Sequence, residues 1–132
     1  MSPYRTATGL RDDEGRSTVG EGTDVAFSYT VDESGGVLRI SLAGEIDMSV
    51  CDRVPEIVAE AVARRAPRRV EVDLRDLDFC DSSGISALFA AKAAAERAGC
   101  QFMVTKPHGM VRRVMEITGV LDVLTGVDGP GV

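Results

Sequence analysis

Hydrophobic and polar positions change period several times along this chain, and each change marks an element. Val25, Phe27, Tyr29 and Val31 alternate with Ala26, Ser28 and Thr30, the two-residue period of a half-buried strand. Asp32-Glu33-Ser34-Gly35-Gly36 is a run of turn formers, and Val37-Leu38-Arg39-Ile40-Ser41-Leu42 resumes the strand pattern, which predicts a hairpin. In the loop that follows, Gly44-Glu45-Ile46-Asp47, either Asp47 or the nearby Ser49 is placed to cap the next helix. That helix carries Val54, Ile57, Val58, Ala61 and Val62 at helical spacing. It ends near Arg64-Arg65-Ala66-Pro67, where cations suit the helix dipole and proline bars continuation.

Arg69-Val70-Glu71-Val72-Asp73-Leu74 predicts a short strand, and Ser82-Ser83-Gly84 opens an alanine-rich helix through Ala98, with Gly99 in the position of a terminating glycine. Gln101 to Thr105 predicts another strand. Pro107 suits the first turn of a third helix with Val111, Val114, Met115 and Ile117, which Gly119 stops. Val120-Leu121-Asp122-Val123-Leu124 fits a final strand or a short helix. Strand and helix alternate after the opening hairpin, so the fold class is α/β, with a mixed sheet that is parallel in its central part.

Residues 1–24 hold few large apolar side chains and many Gly, Ser, Thr, Arg and acidic residues, so they read as a flexible N-terminal extension. Residues 125–132, with three glycines and a proline, read as a flexible C-terminal tail, leaving residues 25–124 as one domain. With 44% hydrophobic residues the chain can build a core, and its net charge of −6 argues against direct nucleic-acid binding. No apolar run approaches the ~20 residues that cross a bilayer, and Met1 to Asp24 lacks the apolar centre of a signal peptide. Cys51, Cys80 and Cys100 are odd in number and without CxxC spacing, as expected of buried thiols in a reducing cytoplasm.

The chemistry concentrates in Asp76-Leu77-Asp78-Phe79-Cys80-Asp81-Ser82-Ser83-Gly84-Ile85. In an alternating α/β chain the turn after a strand's carboxyl end is where ligands and partners meet the fold. Here two hydroxyls and an acid stand at a helix start, where free N–H groups and the positive end of the dipole accommodate an anion. A phosphoryl group on Ser82 would add about −1.5 to −2 charges beside Asp81 without melting the helix. Asp81, Ser82 and Ser83 are also favoured capping residues, and spacing alone leaves that simpler role open.

Other chemistries fit less well. A serine hydrolase wants a G-x-S-x-G elbow and a base, but the segment reads Cys80-Asp81-Ser82-Ser83-Gly84 and the only histidine, His108, follows a proline at a helix start. Neither Lys92 nor Lys106 follows glycine as a P-loop requires. Asp73, Asp76, Asp78 and Asp81 lack EF-hand spacing and read as a solvated acidic rim. The pairs Arg64-Arg65, Arg68-Arg69 and Arg112-Arg113 read as surface cations.

Asp-Leu-Asp-Phe-Cys-Asp-Ser-Ser-Gly-Ile, with the preceding Val-Glu-Val-Asp-Leu, resembles the phosphorylation segment of the STAS domain, and more narrowly that of bacterial anti-sigma factor antagonists. Leu42-Ala43-Gly44-Glu45-Ile46-Asp47 resembles that family's G-E-[LI]-D element, and Met115-Glu116-Ile117-Thr118-Gly119-Val120 its closing helix and glycine. The likeness runs from about Val25 to Leu124.

The resemblance implies a small mixed sheet with helices packed mainly on one face. It implies an anti-sigma factor that is also an ATP-dependent serine kinase as partner, and a phosphatase that resets the switch. Ser82 matches the phosphoacceptor and Asp47 the partner-facing acid, while Ser83 and Gly84 match the helix start; with Asp81 these form the expected partner-binding set. The resemblance implies no catalysis, no metal and no bound nucleotide of the chain's own; charge and hydropathy predict no nucleic-acid or membrane contact, and the free chain is expected to be a monomer. Met48-Ser49-Val50-Cys51 departs from the Thr- and Ala-containing stretch often found there. A non-phosphorylated STAS scaffold or a transporter-associated STAS subunit is the alternative.

Overall fold

The computed structural model of the chain describes residues 17–23 and 27–126. Five strands, β1 (Ser17–Thr23), β2 (Phe27–Ser34), β3 (Val37–Ile46), β4 (Arg69–Cys80) and β5 (Gln101–Thr105), lie in one sheet in the order β1-β2-β3-β4-β5. The first two pairings are antiparallel and the last two parallel, which makes the sheet mixed as expected. Helix α1 (Arg53–Arg65) joins β3 to β4, and α2 (Ser82–Arg97) joins β4 to β5. The two crossovers join neighbouring parallel strands in the same direction, and their helices pack on each other, as crossovers of one hand require. Helix α3 (Gly109–Thr118) lies against β4 and α4 (Leu121–Thr125) against β5. No helix among the described residues is long and apolar enough to cross a membrane.

The hairpin forms as its sequence predicts. Ser34 pairs with Val37 across Gly35 and Gly36, whose φ angles of +58° and +81° are those a tight two-residue turn needs. Leu38, Ile40 and Leu42 of β3, Val70, Val72 and Leu74 of β4, and Phe102 and Val104 of β5 are buried and form the core with Val54, Val58, Leu88 and Ala91 of the two helices. Alternate positions carry polar pairs instead: Glu71 meets both Arg39 and Arg69. Helix α1 ends because Pro67 disfavours a helical conformation at Ala66, which turns left-handed at φ +45°.

Strand β4 is twice as long as its sequence suggests, running past Leu74 to Cys80. Two bulges explain this. Ser41 pairs with Asp73 and Ala43 with Asp76; Gly44 then pairs with Leu77 and Glu45 with Phe79. Each step inserts one extra β4 residue, so the buried positions run Val70, Val72, Leu74, Leu77, Cys80. Asp78-Phe79-Cys80, expected as part of a turn, is therefore strand.

Other expectations are corrected at the ends. Within the expected N-terminal extension, Ser17–Thr23 is strand β1, paired to β2 with one bulge between Thr18 and Gly20. Its backbone pairs along β2, and the Tyr29 ring covers Gly22, where a Cβ would stand 2.6 Å from its Cε1. Val25 lies outside the described residues, as do residues 1–16 and 127–132. Of the two forms the sequence allows at 120–124 the short helix is present, at Leu121–Thr125 with Leu124 buried, whereas α3 begins at Gly109, after rather than at Pro107.

Candidate functional site

Ile46 and Cys80, the last residues of β3 and β4, are register partners. The loops that leave these parallel neighbours therefore start side by side, one with Asp47 and the other with Asp81, at the carboxyl end of the sheet. Asp81 is the extended N-cap of α2. Its Oδ1 accepts three hydrogen bonds: from the Ser83 N–H at 3.0 Å, the Gly84 N–H at 3.1 Å and the Ser83 hydroxyl at 2.5 Å. These donors, the Ser83 hydroxyl foremost, hold the Asp81 carboxyl below its ordinary range against a smaller opposing effect of burial.

The two serines thus divide. Ser83 is half-buried and its hydroxyl is committed to Asp81. Ser82, the first residue of α2, is exposed, and no hydrogen bond among the described residues engages its hydroxyl. Gly84 lies beneath them, buried. A Cβ there would collide with the Cys80 sulfur and press on Ile46, whose Cγ2 would be 3.2 Å away and carbonyl oxygen 3.3 Å. The glycine lets the start of α2 sit directly on the ends of β3 and β4. Burial, with Asp81 adding to it, pushes the Cys80 thiol up to about 12, so it packs as a neutral side chain.

Asp47 does not cap α1, contrary to expectation, because that helix begins only at Arg53. Its Oδ1 instead accepts from the Ser49 N–H at 2.9 Å and the Ser49 hydroxyl at 2.6 Å, closing a tight turn that Val50 N–H to Asp47 carbonyl continues. The Ser49 hydroxyl and then its N–H lower the Asp47 carboxyl, while burial and the neighbouring Asp81 charge oppose them. The turn holds Met48 outward at 75% exposure. A large apolar side chain between Asp47 and Ser49 was the available sign of this exposed patch, but composition gives no direction for a loop side chain.

The structure brings Asp47, Asp81, Ser82, Ser83 and Gly84 together at one end of the sheet, with Ile46 and Cys80, which sequence reading had not singled out, as their seat. Asp73 leaves the expected acidic rim: it is 3% exposed, accepts from the Arg75 N–H at 2.8 Å and faces Lys106 Nζ at 3.7 Å. Among the described residues no three His, Cys, Asp or Glu side chains gather into a metal site. Cys100 is buried and donates to the Pro67 carbonyl, whereas Cys51 is only half-buried. Of the arginines, Arg65 pairs with Glu33, Arg69 with Glu71 and Arg112 with Glu116.

A family model described as Mlab, STAS domain matches residues 29–125. The anti-sigma F factor antagonist of Paenibacillus polymyxa is 28% identical over 89 residues, covering 67% of this chain and 76% of that protein. The anti-sigma-F factor antagonist RsfB of Mycobacterium tuberculosis is 29% identical over 116 residues, covering 79% and 92%. The solved structure of the anti-sigma factor antagonist SpoIIAA in its unphosphorylated form superimposes with a TM-score of 0.62 at 20% identity, over 74% of this chain and 84% of that one, and shares the fold.

Proposed function

This chain belongs to the STAS domain family, and from that premise we propose that it is an anti-sigma factor antagonist switched by phosphorylation of Ser82. Unphosphorylated, it binds an anti-sigma factor that is also a serine kinase and so frees a sigma factor; phosphorylated, it is released until a phosphatase resets it. The relatives named as anti-sigma factor antagonists support the general role. The observation that carries the switch is the exposed Ser82 hydroxyl, unengaged among the described residues, beside a Ser83 hydroxyl already tied to Asp81. ATP belongs to the kinase, and the chain itself performs no catalysis.

The switch acts through surface charge. While the Ser83 and Gly84 amides stay with Asp81, a phosphate on Ser82 meets the positive end of the α2 dipole, a gain of about 0.3–1 kcal/mol for an exposed charge. Repulsion from Asp81, with Asp47 nearby, opposes it. Both effects are small against a domain stability of ~5–15 kcal/mol, so the fold persists. At the interface the same charge must be desolvated or face acidic neighbours, and there it decides binding.

Binding and phosphate mapping with the cognate kinase and ATP test this. Peptide mass spectrometry is expected to find one phosphate, on Ser82. Ser82→Ala binds the kinase and is not released by ATP; Ser82→Asp binds more weakly; Asp47→Asn lowers binding with thermal stability nearly unchanged. Equal affinity of the phosphorylated and unphosphorylated forms overturns the switch and leaves the scaffold or transporter-subunit role in its place.

A further inference from the structure

We propose that Asp81 is a positioning residue that confines phosphorylation to Ser82 by holding the Ser83 hydroxyl out of reach. The inference rests on the reading of Ser82 as phosphoacceptor and adds the reason why its neighbour is refused. Two serines in succession at a helix start offer a kinase two hydroxyls one residue apart, and their shared chemistry gives no basis for choice. The distinction lies in Asp81. One of its carboxylate oxygens takes the Ser83 N–H, the Gly84 N–H and the Ser83 hydroxyl, at 3.0, 3.1 and 2.5 Å.

Phosphoryl transfer forms a bond between a serine Oγ and the γ-phosphorus of ATP. The bond from that phosphorus to the β,γ-bridging oxygen breaks, ADP departs, and the hydroxyl proton passes to a base of the kinase. Ser82 meets these demands, since its hydroxyl is exposed and unengaged among the described residues. Ser83 must first give up a charge-assisted hydrogen bond and turn outward from a half-buried position. Asp81 does not serve Ser83 as a base. A carboxylate that already receives three hydrogen bonds is held below its ordinary proton affinity.

Removing the carboxylate should therefore open Ser83. Glycine is the substitution of choice, because a capping residue replaced by glycine loses only a few tenths of a kcal/mol. Asn at the same position keeps a side-chain oxygen for the two N–H groups and the hydroxyl. The experiment compares kinase-dependent labelling of wild type, Ser82→Ala, Asp81→Gly/Ser82→Ala and Asp81→Asn/Ser82→Ala, with phosphate mapped by peptide mass spectrometry and folding checked by thermal melting.

Wild type is expected to carry phosphate on Ser82, and Ser82→Ala to be labelled on Ser83 only slowly, at about a tenth or less of the wild-type rate. The glycine double variant is expected to accept it on Ser83 at a rate raised about ten-fold or more, the scale of one charge-assisted hydrogen bond. Asn is expected to restore most of the refusal. A loss of capping alone does not create a new acceptor, so this gain separates positioning from mere helix stability. Phosphate on Ser83 in Ser82→Ala, at a rate like that of Ser82 in wild type, overturns the inference. So does a folded glycine double variant that stays unlabelled while wild type is labelled on Ser82. If wild type takes no phosphate on either serine, the acceptor reading itself fails and the inference falls with it.

Discussion

At position 84 a β-carbon would meet the Cys80 sulfur, the Ile46 Cγ2 and the Ile46 carbonyl oxygen, and the last of these is backbone that cannot swing aside. Gly84→Ala is expected to destabilise the domain by about 1–3 kcal/mol, the usual range for overpacking, despite the better helix propensity of alanine. Urea unfolding measures it. Cys80→Ala in the same chain removes the nearest obstacle, so the double variant is expected to lose less than the sum of the single ones. Much of this site could be read from residue types. An acid, two hydroxyls and a glycine at the start of an alanine-rich helix announced a cap and an exposed hydroxyl. Residue types alone do not divide Ser82 from Ser83, since both are good capping residues; the resemblance singles out Ser82, and the structure adds a Ser83 hydroxyl bonded to Asp81. Asp47 misled for a similar reason: an Asx turn and a helix cap draw on the same short side chain.

Strand β4 shows where pattern reading stops at the level of an element. Its first half alternates cleanly, but Arg75-Asp76 interrupts the alternation, and a two-residue period then expects Asp76 and Asp78 inside and Leu77 outside. The bulges reverse that assignment: Leu77 is fully buried, while Asp76 and Asp78 are exposed. Leu77→Ala is accordingly expected to cost about 2–5 kcal/mol and Asp78→Ala no more than about 0.5, both by urea unfolding. A regular strand would give the opposite order. The two insertions cancel by Cys80, which returns to the core side and brings Asp81 level with the loop after Ile46. The helices were easier to read. The apolar spacing in α1, the glycine after α2 and Gly119 after α3, at φ +76°, are local signals that no distant pairing has to supply.

Over the whole molecule, charge is unevenly spread. Glu45, Asp47, Asp76, Asp78 and Asp81 stand in the closing residues of β3 and β4 or just after them, whereas Arg64 and Arg65 end α1, Arg97 ends α2 and Arg68-Arg69 lead into β4 at the other end of the sheet. A phosphate on Ser82 would deepen the acidic end, where a docked surface has to tolerate it. The fold class was plain from the order of elements, but the sheet's outer boundary was not, because β1 has Gly, Ser, Thr and Glu where a buried strand would have large apolar residues. That strand has a practical meaning for how the protein behaves in a tube. It occupies the outward hydrogen-bonding groups of β2 from Ser28 to Glu33. A chain shortened to residues 27–132 keeps the core residues buried among the described ones but leaves that row of N–H and C=O groups bare, a template for a neighbouring molecule. Light scattering and sedimentation of the shortened chain are expected to show more concentration-dependent self-association than the 132-residue chain does; equal behaviour of the two would mean that β1 protects nothing. A boundary drawn by hydrophobicity alone would trade solubility for brevity.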